Sequence, residues 1–188
     1  MRLVAGKHKG RVLVAPSGIS VRPTSDKVRE SLFNVLAHGG YRAGKQSVLE
    51  NARVLDAFAG SGALGFESLS RGAAECIFME KAEAALDAIK KNSFELGEAS
   101  RVRILRTDVT NPPSNTEPVD LLFIDPPYKE LLLLSALKGL LAANWVGVDT
   151  VCCAELDAYD EYSIPSKMEL LLERRYGRTR IIILKVAC

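Results

Sequence analysis

The sharpest chemistry in this 188-residue chain sits in four consecutive residues, Asp125-Pro126-Pro127-Tyr128. They follow the apolar run Leu121–Ile124, which reads as a buried strand, and two successive prolines cannot extend a sheet. Each proline also drives the residue before it away from helical angles. The tetrapeptide is therefore a stiff, extended spur that fixes a carboxylate, a carbonyl and an aromatic face relative to one another. Asp-Pro is ordinary turn chemistry as well, so the spur needs a use elsewhere in the chain. Methyl transfer to an exocyclic amine would use it. The lone pair of such a nitrogen is delocalised into its ring. The Asp125 carboxylate and the Pro126 carbonyl can each accept one amino N–H, which turns the lone pair outward. The carboxylate then stabilises the positive charge that develops on nitrogen, Pro127 keeps the geometry from relaxing, and Tyr128 can stack on the base.

A second constellation lies upstream. In VLDAFAGSGALG, Gly60-x-Gly62-x-x-Gly65 falls between a strand pattern and a helix pattern, and Glu80 closes the next strand twenty residues after Gly60. Glycines give a tight turn and close ligand approach, and an acid at that distance suits ribose hydroxyls. Asp56, just ahead of the turn, discriminates between ligands. A dinucleotide would set its pyrophosphate over the turn, where a carboxylate repels it. S-adenosylmethionine has no phosphate and carries a sulfonium and an ammonium that favour a nearby acid. Asp108, ending a third strand pattern, is placed to accept from an adenine amino group or to serve as a plain turn acid. Thr24 could bond the carboxylate of the methionine moiety. Arg22 or Arg29 could meet the same group or a phosphate, and helix capping with surface ion pairs explains these residues equally well.

These groups need a scaffold, and the patterning supplies one. Strand-like runs (RVLDAF, ECIFME, VRILRTD, VDLLFID, TVCCAEL) alternate with helix-like runs stopped by glycines, and the chain closes with two strand-like runs joined by a tight Gly-Arg turn. The expectation is an α/β, Rossmann-like domain over residues 25–188, with a mostly parallel seven-stranded sheet finished by one antiparallel strand. An amphipathic helix starts at Ser25 and closes near Gly39-Gly40, and residues 40–51 read as a polar loop. Residues 1–24 read as a small basic β-hairpin extension. It carries Arg2, Lys7, Lys9, Arg11 and Arg22 with no acid, whereas the rest of the chain has 20 basic and 23 acidic residues. A basic arm on a slightly acidic body suggests a polyanion partner such as RNA. The four cysteines lack metal-ligand or disulfide spacing and read as reduced packing residues, with no metal site expected. Absence of a signal-peptide pattern or membrane span points to a cytoplasmic protein.

The motifs RLVAGKHKGRVL, RPTSDKVRESLFN, LDAFAGSGALGFESLSRGA and FIDPPY, in that order, resemble the bacterial RsmD-type small-subunit ribosomal RNA guanine-N2 methyltransferases over nearly the whole chain. The resemblance implies a class I methyltransferase that uses S-adenosylmethionine on one guanine of 16S rRNA, within a small ribosomal subunit particle and with no obligate protein partner. By position it assigns Asp56, Phe58, Gly60, Gly62, Glu80 and Asp108 to the cofactor and Asp125–Tyr128 to catalysis. It also implies that the N-terminal arm helps hold the RNA. Three alternatives stand beside it, one of them a non-catalytic RNA-binding module, which explains the basic arm but leaves the spur and the glycine turn unused. An adenine-N6 nucleic-acid methyltransferase would use the same spur, but the chain lacks room for a sizeable base-recognition domain. An NAD-dependent oxidoreductase would use the glycine turn but not Asp56.

Overall fold

The structure is a computed structural model that describes residues 1–16, 25–41, 47–127 and 132–187. Seven strands form one sheet: β1 (Arg53–Ala57), β2 (Glu75–Glu80), β3 (Val102–Arg106), β4 (Leu121–Ile124), β5 (Val151–Asp157), β6 (Met168–Tyr176) and β7 (Thr179–Val186). Their order is β3-β2-β1-β4-β5-β7-β6. Strands β1 to β5 are parallel, and β7 runs antiparallel between β5 and β6. The expected single reversed strand is thus β7, inserted beside β5 rather than placed at the edge.

Four helices cover the sheet: α1 (Asp26–His38), α2 (Ala63–Ser70), α3 (Glu83–Glu95) and α4 (Leu132–Ala142). The central strands are buried along nearly their whole length, as strands covered on both faces must be. Alternate residues feed two cores. Val54, Leu121, Phe123, Cys153, Ile181 and Ile183 pack under α1, α2 and α3. Leu55, Leu122, Ile124, Ala154, Ile182 and Leu184 pack under α4 and Trp145. Helix α1 begins where Ser25 Oγ accepts the Val28 amide at 3.3 Å, a side-chain N-cap. The stretch read as a polar loop contains Val48 and Leu49, and both are buried in the core. Two apolar residues are too few to show a period, yet they plug the space ahead of β1.

The arm is held by a single antiparallel bridge, Arg2–Val12, and by Leu3 and Leu13 inserted into the first core. Its backbone is gripped by buried side chains, among them Arg29, Glu67, Ser70 and Asn92. Glu67 of α2 accepts the Val4 and Ala5 amides at 2.8 and 3.0 Å. Asn92 of α3 accepts the Val14 amide at 2.8 Å and donates to the Val14 and Ser61 carbonyls. Among the described residues, no helix is long and apolar enough to cross a membrane.

Candidate active site

The parallel strands deliver the sequence-predicted acids to one edge of the sheet. Asp56 follows Leu55 on β1, Asp125 follows Ile124 at the end of β4, and Glu155 follows Ala154 on β5. Leu55, Ile124 and Ala154 all lie in the core under α4. Alternation therefore turns the three acids to the other face. The pairs Ala57–Ile124 and Ile124–Ala154 make β1, β4 and β5 neighbours, so Asp125, one residue further, stands level with Glu155.

This row shares one charge sign in a dry place, and protonation responds. Burial pushes the Asp56 carboxyl up to about 8, against the pull of the Gly65 N–H, with the Glu80 charge adding to the rise. The Gly65 amide donates to Asp56 Oδ2 at 2.8 Å. Asp125 is raised well above the usual carboxylate range by burial, then by the charges of Glu155 and Asp56. Among the described residues, no lysine or arginine charge acts appreciably on either acid. Nor do any three histidine, cysteine, aspartate or glutamate side chains gather closely enough to hold a metal ion. Glu155 was not singled out in the sequence. The available signal was an acid inside the otherwise apolar run TVCCAEL.

The glycine turn leaves β1 through Phe58, which sits at φ 61°, a strained left-handed conformation for a side chain of that size. Gly60 and Gly62 follow at φ 55° and 77°, and Gly62 begins α2. The glycines differ in purpose. A Cβ at Gly65 would lie 2.3 Å from the Phe78 ring, so its absence lets α2 close on β2. A Cβ at Gly60 would meet nothing, and the turn faces open space there. Glu80 ties the turn to the next helix: Oε2 accepts Gly60 N at 3.0 Å, while Oε1 accepts Lys81 N and Ala82 N at 2.8 and 2.9 Å. A carboxylate has about four acceptor sites, so one stays available for a hydroxyl donor. Asp108, past the end of β3, accepts both the Thr110 amide and its hydroxyl on Oδ1, which hold its carboxyl below the usual range.

Pro126 is buried and Pro127 exposed, as a spur leaving the core requires. Tyr128, Thr24 and Arg22 lie outside the described residues. Arg29 is buried, with Nη2 donating to Asp26 and to the Arg2 carbonyl. In the arm, Arg2 pairs with Asp26 at 3.3 Å and Arg11 donates to the Glu95 carbonyl at 2.9 Å. Lys7 and His8 both reach Glu98, at 3.1 and 2.5 Å, and Arg101 joins them. Lys9 is exposed and has no ion pair among the described residues.

A reversed β7 between β5 and β6 distinguishes this sheet from a plain dinucleotide-binding one. It is the arrangement of the class I methyltransferases, and this fold, with the relatives that follow, defines the chain as a methyltransferase of that class. Residues 1–185 match the model of the family described as Conserved hypothetical protein 95, and the chain belongs to that family. The YlbH protein of Bacillus subtilis is 35% identical over 192 residues, covering 98% of each chain. Ribosomal RNA small subunit methyltransferase D of Escherichia coli K12 is 32% identical over 180 residues, covering 95% of this chain and 86% of its own. Among solved structures, the yhhF protein of Escherichia coli superposes with a TM-score of 0.81 at 30% identity, covering 100% of this chain and 98% of its own.

Proposed function

We propose that the protein transfers a methyl group from S-adenosylmethionine to the exocyclic N2 amino group of a guanine in small-subunit ribosomal RNA. The relatives named for that ribosomal RNA support the substrate class. The observation that carries the chemistry is Asp125, a half-buried carboxylate just past β4 and level with Glu155, whose affinity for a proton is raised by lost hydration and then by its neighbours of like charge.

The residues present fit the cofactor. Asp56, buried, and Asp125, half-buried, have no cationic partner acting on them among the described residues, and Gly60 opens onto free space. Asp56 and the glycine turn would border the cationic end, Glu80 the ribose and Asp108 the adenine. S-adenosylmethionine supplies an electrophilic methyl group on a positively charged sulfur. Asp125 and the Pro126 carbonyl accept the two N2–H groups and orient the lone pair. As the nitrogen gains a methyl group it must lose a proton, and the Asp125 carboxylate, made more basic by Glu155 and Asp56, takes it. Tyr128 stacks on the guanine. The arm is the proposed RNA contact, with Lys9 its most available charge.

Incubating the protein with labelled S-adenosylmethionine and either deproteinised small-subunit ribosomal RNA or the small subunit itself tests this reading. The expected product is a single N2-methylguanine located by nuclease digestion and mass spectrometry. Label on adenine N6, or none on either RNA substrate, overturns it.

A further inference from the structure

Away from the strand-end acids, a cavity of about 370 Å³ opens between the flank of α1 and the end of β6. Ser31, Asn34 and His38 line it from one stripe of α1, Tyr41 from just beyond that helix, and Arg174 and Tyr176 from β6. Nothing in the reaction outlined above uses these residues. The wall is nonetheless shaped. A Cβ at Gly39 would lie 2.0 Å from the Tyr41 ring, so the missing side chain is what seats that ring against the last turn of α1. On β6, Leu172 and Tyr176 pack against the core beneath α1, and alternation puts Arg174 between them on the same face.

The charges in this region are uneven. Arg175 and Arg180 each pair with Glu173, and Arg178 pairs with Asp157. Arg174 alone among the four has no ion pair among the described residues, and no carboxylate lines the cavity. Its charge falls instead on the Tyr41 hydroxyl. Two aromatic rings, an unopposed guanidinium, an imidazole, an amide and a hydroxyl thus share one recess.

We propose that this recess is a nucleotide-binding subsite that holds one base-and-phosphate unit of the RNA substrate outside the methyl-transfer centre; the inference rests on the RNA substrate proposed above. The rings offer stacking faces, Asn34 and Ser31 offer hydrogen bonds to a base edge, and Arg174 meets a phosphate. Among the described residues the wall has no acid to repel such a ligand. The strand register sets the reach. Asp125 is level with Glu155, Glu155 pairs with Ile181, and Ile181 pairs with Arg174. Arg174 therefore lies three strand spacings from Asp125 on the same face, roughly 14 Å. That is about four stacked nucleotides, fewer if the strand is stretched.

The test compares the parent with Arg174→Gln and Tyr41→Ser, titrating each with deproteinised small-subunit ribosomal RNA across a salt series and, separately, with guanosine 5′-monophosphate. Arg174→Gln is expected to weaken RNA binding and lower the log–log salt slope by about 0.7, the loss of one phosphate contact on a single strand. Tyr41→Ser is expected to raise the Kd for RNA by about five- to a hundredfold, the range for one lost stack. S-adenosylmethionine affinity should be unchanged in both. Arg174 is an exposed edge-strand residue, so its variant carries the test if Tyr41→Ser fails to fold. Parental affinity and slope in Arg174→Gln overturn the inference. So does loss of guanosine monophosphate binding with RNA binding intact, which would assign the recess to a free nucleotide. A parent that binds the RNA but transfers no methyl overturns the proposed function and leaves the Arg174 comparison readable. Normal transfer with no effect of Arg174→Gln overturns the subsite alone.

Discussion

The arm and the strand ends treat buried charge in opposite ways. At the arm's anchor, burial opposes ionisation of Glu98, but hydrogen bonds from His8, Arg101 and Lys7 outweigh it and hold the carboxyl below its usual range. At the strand ends, the buried Asp56 and the half-buried Asp125 lose hydration next to further negative charge and are pushed the other way. A satisfied cluster such as that at Glu98 stabilises the molecule. A like-charged row costs stability and is retained where a ligand completes it. The difference marks Glu98 as a fastening and the acid row as a binding surface.

The most forceful way to break this comparison is Asp125→Ala. Methyl transfer should fall by about 10²–10³, as for loss of one preoriented electrostatic partner, while cofactor affinity stays nearly parental in calorimetric titration. Asp125→Asn should be milder, since its amide oxygen can still accept an N–H. Full activity in Asp125→Ala would make the spur a rigid turn. Glu98→Ala should act on stability instead. It strands His8 and Arg101 without their carboxylate, and denaturant unfolding should show a loss of about 2–4 kcal/mol, near the range for breaking a buried pair. Transfer per folded molecule should change little.

Acidity separates the two regions further. The folded Asp56 carboxyl is raised above an unfolded value near 3.9. Between about pH 4 and its folded value of about 8, the native state keeps a proton that the unfolded state has lost. Stability of the cofactor-free protein should therefore fall as pH rises through that window. Asp56→Asn should flatten the fall, and thermal unfolding at pH 5 and pH 8 measures both. Glu98 has the opposite sign. Its contribution is present above its unfolded value and is lost only in more acidic solution, as pH falls through its lowered folded value. The stabilisation given by S-adenosylmethionine should grow from pH 5 to pH 8, because its cation favours the ionised acids.

The smallest expected effect concerns the arm surface. Changing Lys7, Lys9 and Arg11 together to Ala should flatten the salt dependence of RNA binding by roughly one contact's worth, about 0.7 in log–log slope, from Lys9. Lys7 and Arg11 already face Glu98 and the Glu95 carbonyl. A change three times larger would show that they leave those partners for RNA.

Local signals made much of this legible in the sequence. Most strands of the parallel sheet are short, largely apolar runs that carry or precede an acid, and the glycine turn and the spur are continuous stretches. Glu155 was not legible, because its importance arises only when the register of β4 on β5 brings it level with a residue thirty positions earlier. Glu67 was not singled out in the sequence; it is buried and accepts two amides from a segment more than sixty residues away. Tyr41 and Arg174 share a recess that no local pattern announces. What escaped the sequence was partnership across the fold, not residue type.

The grip on the arm has a consequence in time. Its partners lie 62 to 91 positions downstream: Glu67, Ser70, Asn92 and Glu98. During synthesis at roughly 5–20 residues per second, the arm is made well ahead of these partners, and roughly 5–18 s separate Lys7 from Glu98. Leu3 and Leu13 have no core to enter until then. An early-made segment is thus late to lock, and the nascent chain carries a cationic, partly apolar stretch unfastened while the helices that will hold it are still being made.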